Sequence, residues 1–196
     1  MIRSAELQAF YDATRHALAA SNAGYAARAL ADRIFTALED PADQASFPPQ
    51  QLPVCQYLGP DLNLARGQGG PIEALADALC GVAPRLIWAR RPFAHDVDPA
   101  FQAGHANAVV VGEDGLEIRH DIWIGISLLA PQTHYPDHRH PPEEIYSVLS
   151  PGEWKQNDGP WHSPGIGEVV HNPPNIIHGM RSKSMPLLAV WYLWTG

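Results

Sequence analysis

Apolar residues recur every three or four positions in the first third of the chain, the spacing of an amphipathic helix. Residues 3–20 carry such a stripe, formed by Leu7, Phe10, Tyr11, Thr14 and Leu18. Residues 23–38 carry a second, alanine-rich stripe, and alanine favours the helix. A third helix is predicted from Pro71 to Leu79, with proline at its first position and Gly81 just past its end.

Residues 40–70 lack this periodicity and are interrupted by prolines and glycines. Such residues favour turns and irregular backbone. We therefore expect a long connector there, with a short helix near Cys55–Leu58. Residues 1–85 together are predicted to form a helical N-terminal extension.

From Leu86 onward the apolar pattern changes to a period of two, which is typical of strands. The predicted strands include Leu86–Ala89, Ala108–Gly112, Ile118–Leu128 and Leu187–Trp194. Turn signals such as Glu113-Asp114-Gly115 separate them. Many short strands at near-regular spacing predict an all-β barrel or jelly roll over residues 86–196, with the helical extension packed on it.

Composition and charge narrow the partners. The net charge is −8 and no basic stripe is present, which argues against a nucleic-acid partner. No apolar run is long enough to span a bilayer, and the N-terminus lacks the apolar segment of a secretory signal. The two cysteines, Cys55 and Cys80, lack metal or redox spacing, so we expect buried thiols in a reducing cytoplasm.

Three histidines, two tyrosines and two glutamates lie within residues 134–146. His138 and His140 are two residues apart, so both imidazoles face the same side of a strand, and the nearby prolines exclude a helix. Glu144 follows, and His178 comes later in a turn-rich segment. Imidazole and carboxylate ligands suit a divalent transition metal, so this pattern predicts a metal site.

These motifs resemble those of the cupin superfamily. The first cupin motif matches His138-x-His140-x-x-x-Glu144, and the second, in a stretched form, matches Pro164 and Gly167 through Asn175-x-x-His178. The resemblance covers roughly residues 105–194. It implies a mainly β fold, a cupin double-stranded β-helix (jelly-roll) barrel, here with an α-helical N-terminal extension.

A closer resemblance is to the cupin-type dimethylsulfoniopropionate (DMSP) lyases, particularly the DddQ group. It rests on Tyr135 and Tyr146 at their positions around the first motif and on the helical extension. The resemblance implies a metal bound by His140, Glu144 and His178, with Tyr146 also in reach. It also implies that His138 and Tyr135 line the same pocket.

The resemblance further implies β-elimination of DMSP, a small zwitterion, to dimethyl sulfide and acrylate. The base must remove a weakly acidic proton next to a carboxylate, and a phenol near a metal ion more readily loses its own proton. Tyr146 is the first choice for that base, and Tyr135 is the alternative base or a hydrogen-bonding partner. Aromatic faces best hold a sulfonium cation. Trp191 and Tyr192 are candidates, although the sequence leaves open which aromatic residues face the pocket.

Several alternatives stay open at this point. The metal is one divalent or trivalent transition ion, with Zn, Fe, Mn, Co and Ni all compatible. The alternatives to a DMSP lyase are another cupin metalloenzyme, such as a dioxygenase or isomerase, and a non-catalytic cupin that binds a small ligand. A monomer or a homodimer is expected.

Overall fold

Five α-helices and two β-sheets make up the computed structural model, which describes residues 2–91 and 98–196. The helices are α1 (Ala5–Ala20), α2 (Tyr25–Ala37), α3 (Leu58–Arg66), α4 (Gly70–Val82) and α5 (Pro99–Gly104). Short 3-10 turns span Pro53–Tyr57 and Ala83–Arg85. Thus α1 to α4 all precede the strands, as the apolar pattern predicts.

The connector prediction is wrong in its second half. Instead of irregular backbone, residues 58–66 form α3, because Gly59 and Pro60 fall in its first turn, where a missing N–H costs nothing. The end predicted for α4 is also wrong. Gly81 lies inside α4, which continues to Val82 because leucine and valine side chains on that face are still buried.

Within residues 2–91 and 98–196, nine strands form the barrel. They are β1 (Trp88–Ala89), β2 (His105–Val111), β3 (Ile122–Leu129), β4 (His134–His138), β5 (Glu143–Val148), β6 (Glu153–Gln156), β7 (Val169–Asn172), β8 (His178–Arg181) and β9 (Leu187–Trp194). A six-stranded sheet has the order β1-β2-β3-β9-β5-β7, and a three-stranded sheet has the order β4-β8-β6. Neighbouring strands in these two sheets pair antiparallel. This is the double-stranded β-helix of a cupin, as predicted.

Two local predictions about the strands and cysteines need correction. The long strand begins at Ile122 rather than Ile118, because residues 118–121 leave the sheet and Arg119 pairs with Asp121. Cys80 is exposed and Cys55 is half-buried, so neither is a fully buried thiol. Both are free. In the described ranges, no helix is long and apolar enough to cross a membrane.

The six-stranded sheet is buried on both faces. On β9, Leu188, Val190 and Tyr192 join the core shared with the helices, whereas Leu187, Ala189 and Trp191 join the core inside the barrel. This follows from strand geometry, since successive side chains point to opposite faces. We call these the outer and inner faces of the six-stranded sheet.

The helical layer is joined to the barrel by apolar packing and by one buried ion pair. The outer-face core contains residues of α1 to α4 together with residues of β2, β3, β5 and β9. Arg3, just before α1, donates to Glu117 with 3.0 Å between Nη2 and Oε1. The same core contains residues from before and after residue 85. The division into a helical extension and a barrel at that position therefore stays a prediction.

Candidate metal centre and adjoining cavity

Three histidine side chains converge at one end of the barrel. β4 pairs with β8 so that His138 lies opposite His178, and their ring centroids are 4.2 Å apart. His140 lies just beyond β4, with its ring 5.0 Å from that of His178. One nitrogen from each of the three histidines lies within 4.8 Å of the others. The three could therefore share one metal ion.

Each of these histidines is held through its Nδ1 by a nearby backbone carbonyl. The Nδ1 atoms of His138, His140 and His178 lie 2.9, 2.9 and 3.0 Å from the carbonyl oxygens of Pro136, Pro142 and Ile176. A neutral imidazole that donates from Nδ1 keeps its lone pair on Nε2. Burial, followed by the neighbouring His178, lowers the pKa of His138 to about 3, so its ring is neutral near neutral pH.

Glu144 adds a carboxylate to the histidine cluster. Its Oε2 lies 3.2 Å from Nε2 of His178 and 3.5 Å from Nε2 of His140. Burial alone raises the pKa of Glu144, but the hydrogen bonds to His140 and His178 outweigh it and hold the pKa below its usual value. The carboxylate is therefore ionised in a buried position.

Asn172 and Gln156 fix the orientation of that carboxylate. Asn172 is the register partner of Glu144 on β7, and its Nδ2 donates to Oε2 of Glu144 at 2.9 Å. Gln156, on β6 of the other sheet, donates from Nε2 to Oδ1 of Asn172 at 2.7 Å. Hydrogen bonds of this kind commonly orient metal ligands.

The donor set fits a metal cation. With the Nδ1 protons given to carbonyls, the Nε2 lone pairs of His140 and His178 face a carboxylate oxygen that also needs a positive partner. A cation among them, or a proton on an imidazole, satisfies both sides. His140, His178 and Glu144 would be the ligands, with His138 as a further nitrogen.

A cavity of about 500 Å³ opens beside Glu144 and His140. Both predicted tyrosines, Tyr135 and Tyr146, line it. Its wall is otherwise largely apolar, and Trp123, Val109, Trp191 and Leu193 contribute. Phe47, from the connector after α2, also lines the cavity, so the helical extension contributes to its wall.

The two tyrosines have different surroundings. Tyr146 is almost fully buried, and burial, followed by the Glu144 charge, raises its pKa well above the usual value of 10. Burial also raises the pKa of Tyr135, but Arg91 opposes the shift. Nη1 of Arg91 donates to the Tyr135 hydroxyl at 2.9 Å. Tyr146 therefore lies beside the carboxylate, and Tyr135 lies beside a cation.

Trp191 crosses the inner face of the sheet over a glycine. Gly125 on β3 is its register partner, and a Cβ at position 125 would lie only 2.2 Å from Cζ2 of Trp191. The missing side chain therefore makes the room in which the indole lies. Trp191 is also opposite Tyr146 on β5, so the aromatic wall and the tyrosine share one level of the barrel.

Two predicted site residues lie elsewhere than expected. Tyr192 does not line this cavity: it faces the helices, and its hydroxyl donates to Oγ of Ser147 at 3.2 Å. Adjacent positions on a strand cannot both face inward, so Trp191 excludes Tyr192. His138, expected in the pocket wall, belongs to the histidine cluster and is absent from the lining among the described residues.

Among the described residues, five polar residues of the cavity wall were not predicted from the sequence. They are Arg90, Arg91, Asn107, Asp114 and Ser127. Asn107 and Ser127 are register partners on β2 and β3. The signal available in the sequence was a polar residue at an inward position of an otherwise apolar strand. Arg91 directly follows Arg90 in the sequence, and two adjacent arginines give no comparable signal.

The fold and the site together define a cupin barrel with a histidine–glutamate cluster beside a partly aromatic cavity. The family model for dimethylsulfoniopropionate lyase matches residues 26–189. The chain therefore belongs to the DMSP lyase family.

Two curated relatives are similar over most of this chain. One, from Cereibacter sphaeroides, carries the provisional name dimethylsulfoniopropionate lyase DddL and is 31% identical over 76% of this chain. The chain spans only 62% of the length of that relative. The other is dimethylsulfoniopropionate lyase DddQ from Ruegeria pomeroyi, 24% identical over 83% of this chain and 79% of its own.

Solved structures support the fold. A chain from the crystal structures of the DMSP lyases RdDddP and RnDddQII has a TM-score of 0.74 at 24% identity, covering 98% of this chain and 93% of that one. DMSP lyase DddQ from Ruegeria pomeroyi DSS-3 has a TM-score of 0.68 at 20% identity, covering 96% and 92%. At these identities the likeness concerns the fold.

Proposed function

We propose that this protein is a metal-dependent DMSP lyase that cleaves DMSP to dimethyl sulfide and acrylate. The observation that carries the proposal is the meeting of His140, Glu144 and two tyrosines on the wall of one cavity. Membership of the DMSP lyase family supports the choice of substrate.

His140, Glu144 and His178 would hold the metal, with Tyr146 in reach and His138 as a further nitrogen donor. A bound metal ion would act as a Lewis acid that neutralises negative charge at the substrate carboxylate. Zn, Fe, Mn, Co and Ni are all compatible with imidazole and carboxylate ligands, and a phenolate favours a harder ion such as ferric iron. One divalent or trivalent ion suffices for this role.

A tyrosine removes the proton next to the carboxylate. As the phenolate takes that proton, the electron pair forms the carbon–carbon double bond, and the carbon–sulfur bond breaks. Dimethyl sulfide leaves as a neutral molecule with the electron pair of the broken bond, and acrylate remains. Tyr146 is the first choice for this base because it lies in the cavity wall beside Glu144, where a bound metal ion would oppose the burial and the carboxylate charge that raise its pKa. Tyr135, beside Arg91, is the alternative base or a hydrogen-bonding partner.

The sulfonium end of DMSP is placed against the aromatic wall. Trp191 and Trp123 both line the cavity, and an aromatic face attracts a cation that has no N–H donors. Arg91 and the histidine–glutamate cluster instead suit the carboxylate end. The substrate is therefore oriented by opposite chemistry at its two ends.

A headspace assay for dimethyl sulfide tests the proposal. The protein is stripped of metal, each candidate metal is added back separately, and DMSP is supplied without oxygen. We expect dimethyl sulfide and acrylate in equal amounts with at least one metal and none without metal. Oxygen consumption in place of elimination would identify a dioxygenase. Ligand binding without any product would identify a non-catalytic cupin.

A further inference from the structure

A buried group of polar side chains lies behind Tyr135, on β2 and β3. Oγ of Ser127 donates to Oδ1 of Asn107 at 2.7 Å, and Nε2 of His105 lies 3.1 Å from the same oxygen. We call Ser127, Asn107 and His105 the asparagine relay. Buried polar groups cost free energy unless they are hydrogen-bonded, so a relay in an apolar barrel needs a reason beyond packing.

The relay fixes which way the Asn107 amide points. Burial lowers the pKa of His105 to about 4, so the ring is neutral, and the tautomer with its proton on Nε2 donates to the Asn107 oxygen. With two donors on its oxygen, the amide must present its nitrogen on the opposite side. Asn107 and Ser127 line the cavity, so that nitrogen lies at the cavity wall.

Arg91 and Asn107 both lie beside Tyr135 in the cavity wall. Arg91 donates to the Tyr135 hydroxyl. The Asn107 side chain, together with Arg91, opposes the rise in the pKa of Tyr135 that burial causes. The Tyr135 ring is held by Phe101 and His105, whose centroids each lie 4.9 Å away. The asparagine relay therefore reaches Tyr135 through the packed ring of His105.

We propose that Asn107, held by Ser127 and His105, is a positioning residue that directs the Tyr135 hydroxyl toward the bound substrate. The inference rests on the proposed lyase function, because it assigns Tyr135 a part in handling that substrate. Asn107 acts through Tyr135 and is not itself a catalytic residue. Ser127 acts one step further away, through Asn107.

A double-mutant cycle tests this order of action. Asn107→Asp keeps the acceptor for Ser127 and His105 but replaces the N–H donor with an oxygen. We expect kcat to fall about tenfold with KM nearly unchanged, because the hydroxyl is displaced by a small distance. Ser127→Ala should lower kcat about threefold. In a Tyr135→Phe background neither change should lower kcat further, since the hydroxyl they position is gone.

Ser147→Ala is the matched control. Ser147 is a buried serine on the same sheet that also loses a hydrogen bond, to Tyr192, but on the outer face. It should lower thermal stability about as much as Ser127→Ala while leaving kcat unchanged. Equal effects of both serine changes on kcat would overturn the inference. So would a full additional loss from Asn107→Asp in the Tyr135→Phe background.

Binding without turnover separates this inference from the proposed function. The probe is 4-methylpentanoate, which has the shape of DMSP but carries CH in place of the sulfonium. Calorimetry should show slightly weaker binding in Asn107→Asp, clearly weaker binding in Tyr135→Phe, and no further loss when the two changes are combined. If the wild type releases no dimethyl sulfide but shows this coupling, the lyase proposal fails and the relay stands. If the wild type is an active lyase without coupling, the relay fails.

Discussion

The inner and outer faces of the six-stranded sheet are both largely buried but chemically unlike. The outer face presents mostly aliphatic side chains to the helices, such as Leu188 and Val190. The inner face carries Glu144, Tyr146 and Asn107, each with polar atoms in the barrel. Burial alone therefore does not distinguish a face that only packs from a face that lines a candidate site. The difference lies in the hydrogen-bonded polar side chains that the inner face carries.

The largest expected effect comes from removing one oxygen on the inner face. Tyr146→Phe should lower kcat by a factor of about 10² to 10⁴, the usual contribution of a positioned base, while most of the metal stays bound. Dimethyl sulfide release measures kcat, and metal analysis measures the metal content. Tyr192→Phe is the outer-face control and should keep the wild-type rate. A near-wild-type rate in Tyr146→Phe would move the base assignment to Tyr135.

The second-largest effect is expected from removal of a predicted metal ligand. His140→Ala and His178→Ala each delete one nitrogen of the cluster, so metal content after dialysis should fall strongly in both. His134→Ala is the control, because His134 is exposed and packs on Trp161 outside the cluster. Metal content unchanged in both ligand variants would refute the ligand set.

Truncation of a side chain on the outer face should lower stability and leave kcat unchanged. Leu188→Ala removes a fully buried side chain from the core shared with the helices, so we expect a loss of about 2–5 kcal/mol in the free energy of unfolding. The kcat of the folded protein should remain at the wild-type value. Urea unfolding and the headspace assay are run on the same sample. A lower kcat without lower stability would mean that the two faces are not separable.

The smallest effect concerns Asp61, a buried carboxyl of α3. Burial raises its pKa to about 7, against an ordinary value near 4. Between these values the folded state holds more protons than the unfolded chain, so the free energy of unfolding falls as pH rises. The slope is at most about 1.4 kcal/mol per pH unit. Asp61→Asn should remove it, as urea unfolding at several pH values would show. Parallel curves for both proteins would contradict this.

The sequence predicts most of the helices and strands because apolar residues recur every three or four positions in a helix and every two positions in a strand. The closing strand Leu187–Trp194 is found with the predicted bounds, since eight apolar residues of β type leave little alternative. The segment around His138 forms the predicted strand, turn and strand, but His140 lies in the turn and not on the strand with His138. Pairing of β4 with β8 then brings His178 to the cluster, and His178 is the distant histidine that the sequence pattern includes in the predicted metal site.

Some residues of the candidate site were not predicted because they are defined by contacts between residues that are distant in the sequence. Asn107 and Ser127 are twenty residues apart, and only the β2–β3 register makes them partners. The placement of both Trp191 and Tyr192 in the pocket ignored the alternation of a strand, which a stricter use of period two would have corrected. The helix α3 was hidden because its apolar residues are few and Gly59 and Pro60 resemble a turn.

Gly125 has a consequence for redesign of the cavity. The indole of Trp191 occupies the space that any side chain at position 125 would need, so the two positions compete for one volume. A library at position 125 alone would therefore yield mainly misfolded or occluded variants. Smaller residues at 191 would not rescue a side chain at 125, because its Cβ would also lie 2.5 Å from the carbonyl oxygen of Ala108. Position 125 must therefore stay glycine, and a library that changes the volume of the cavity belongs at position 191 alone.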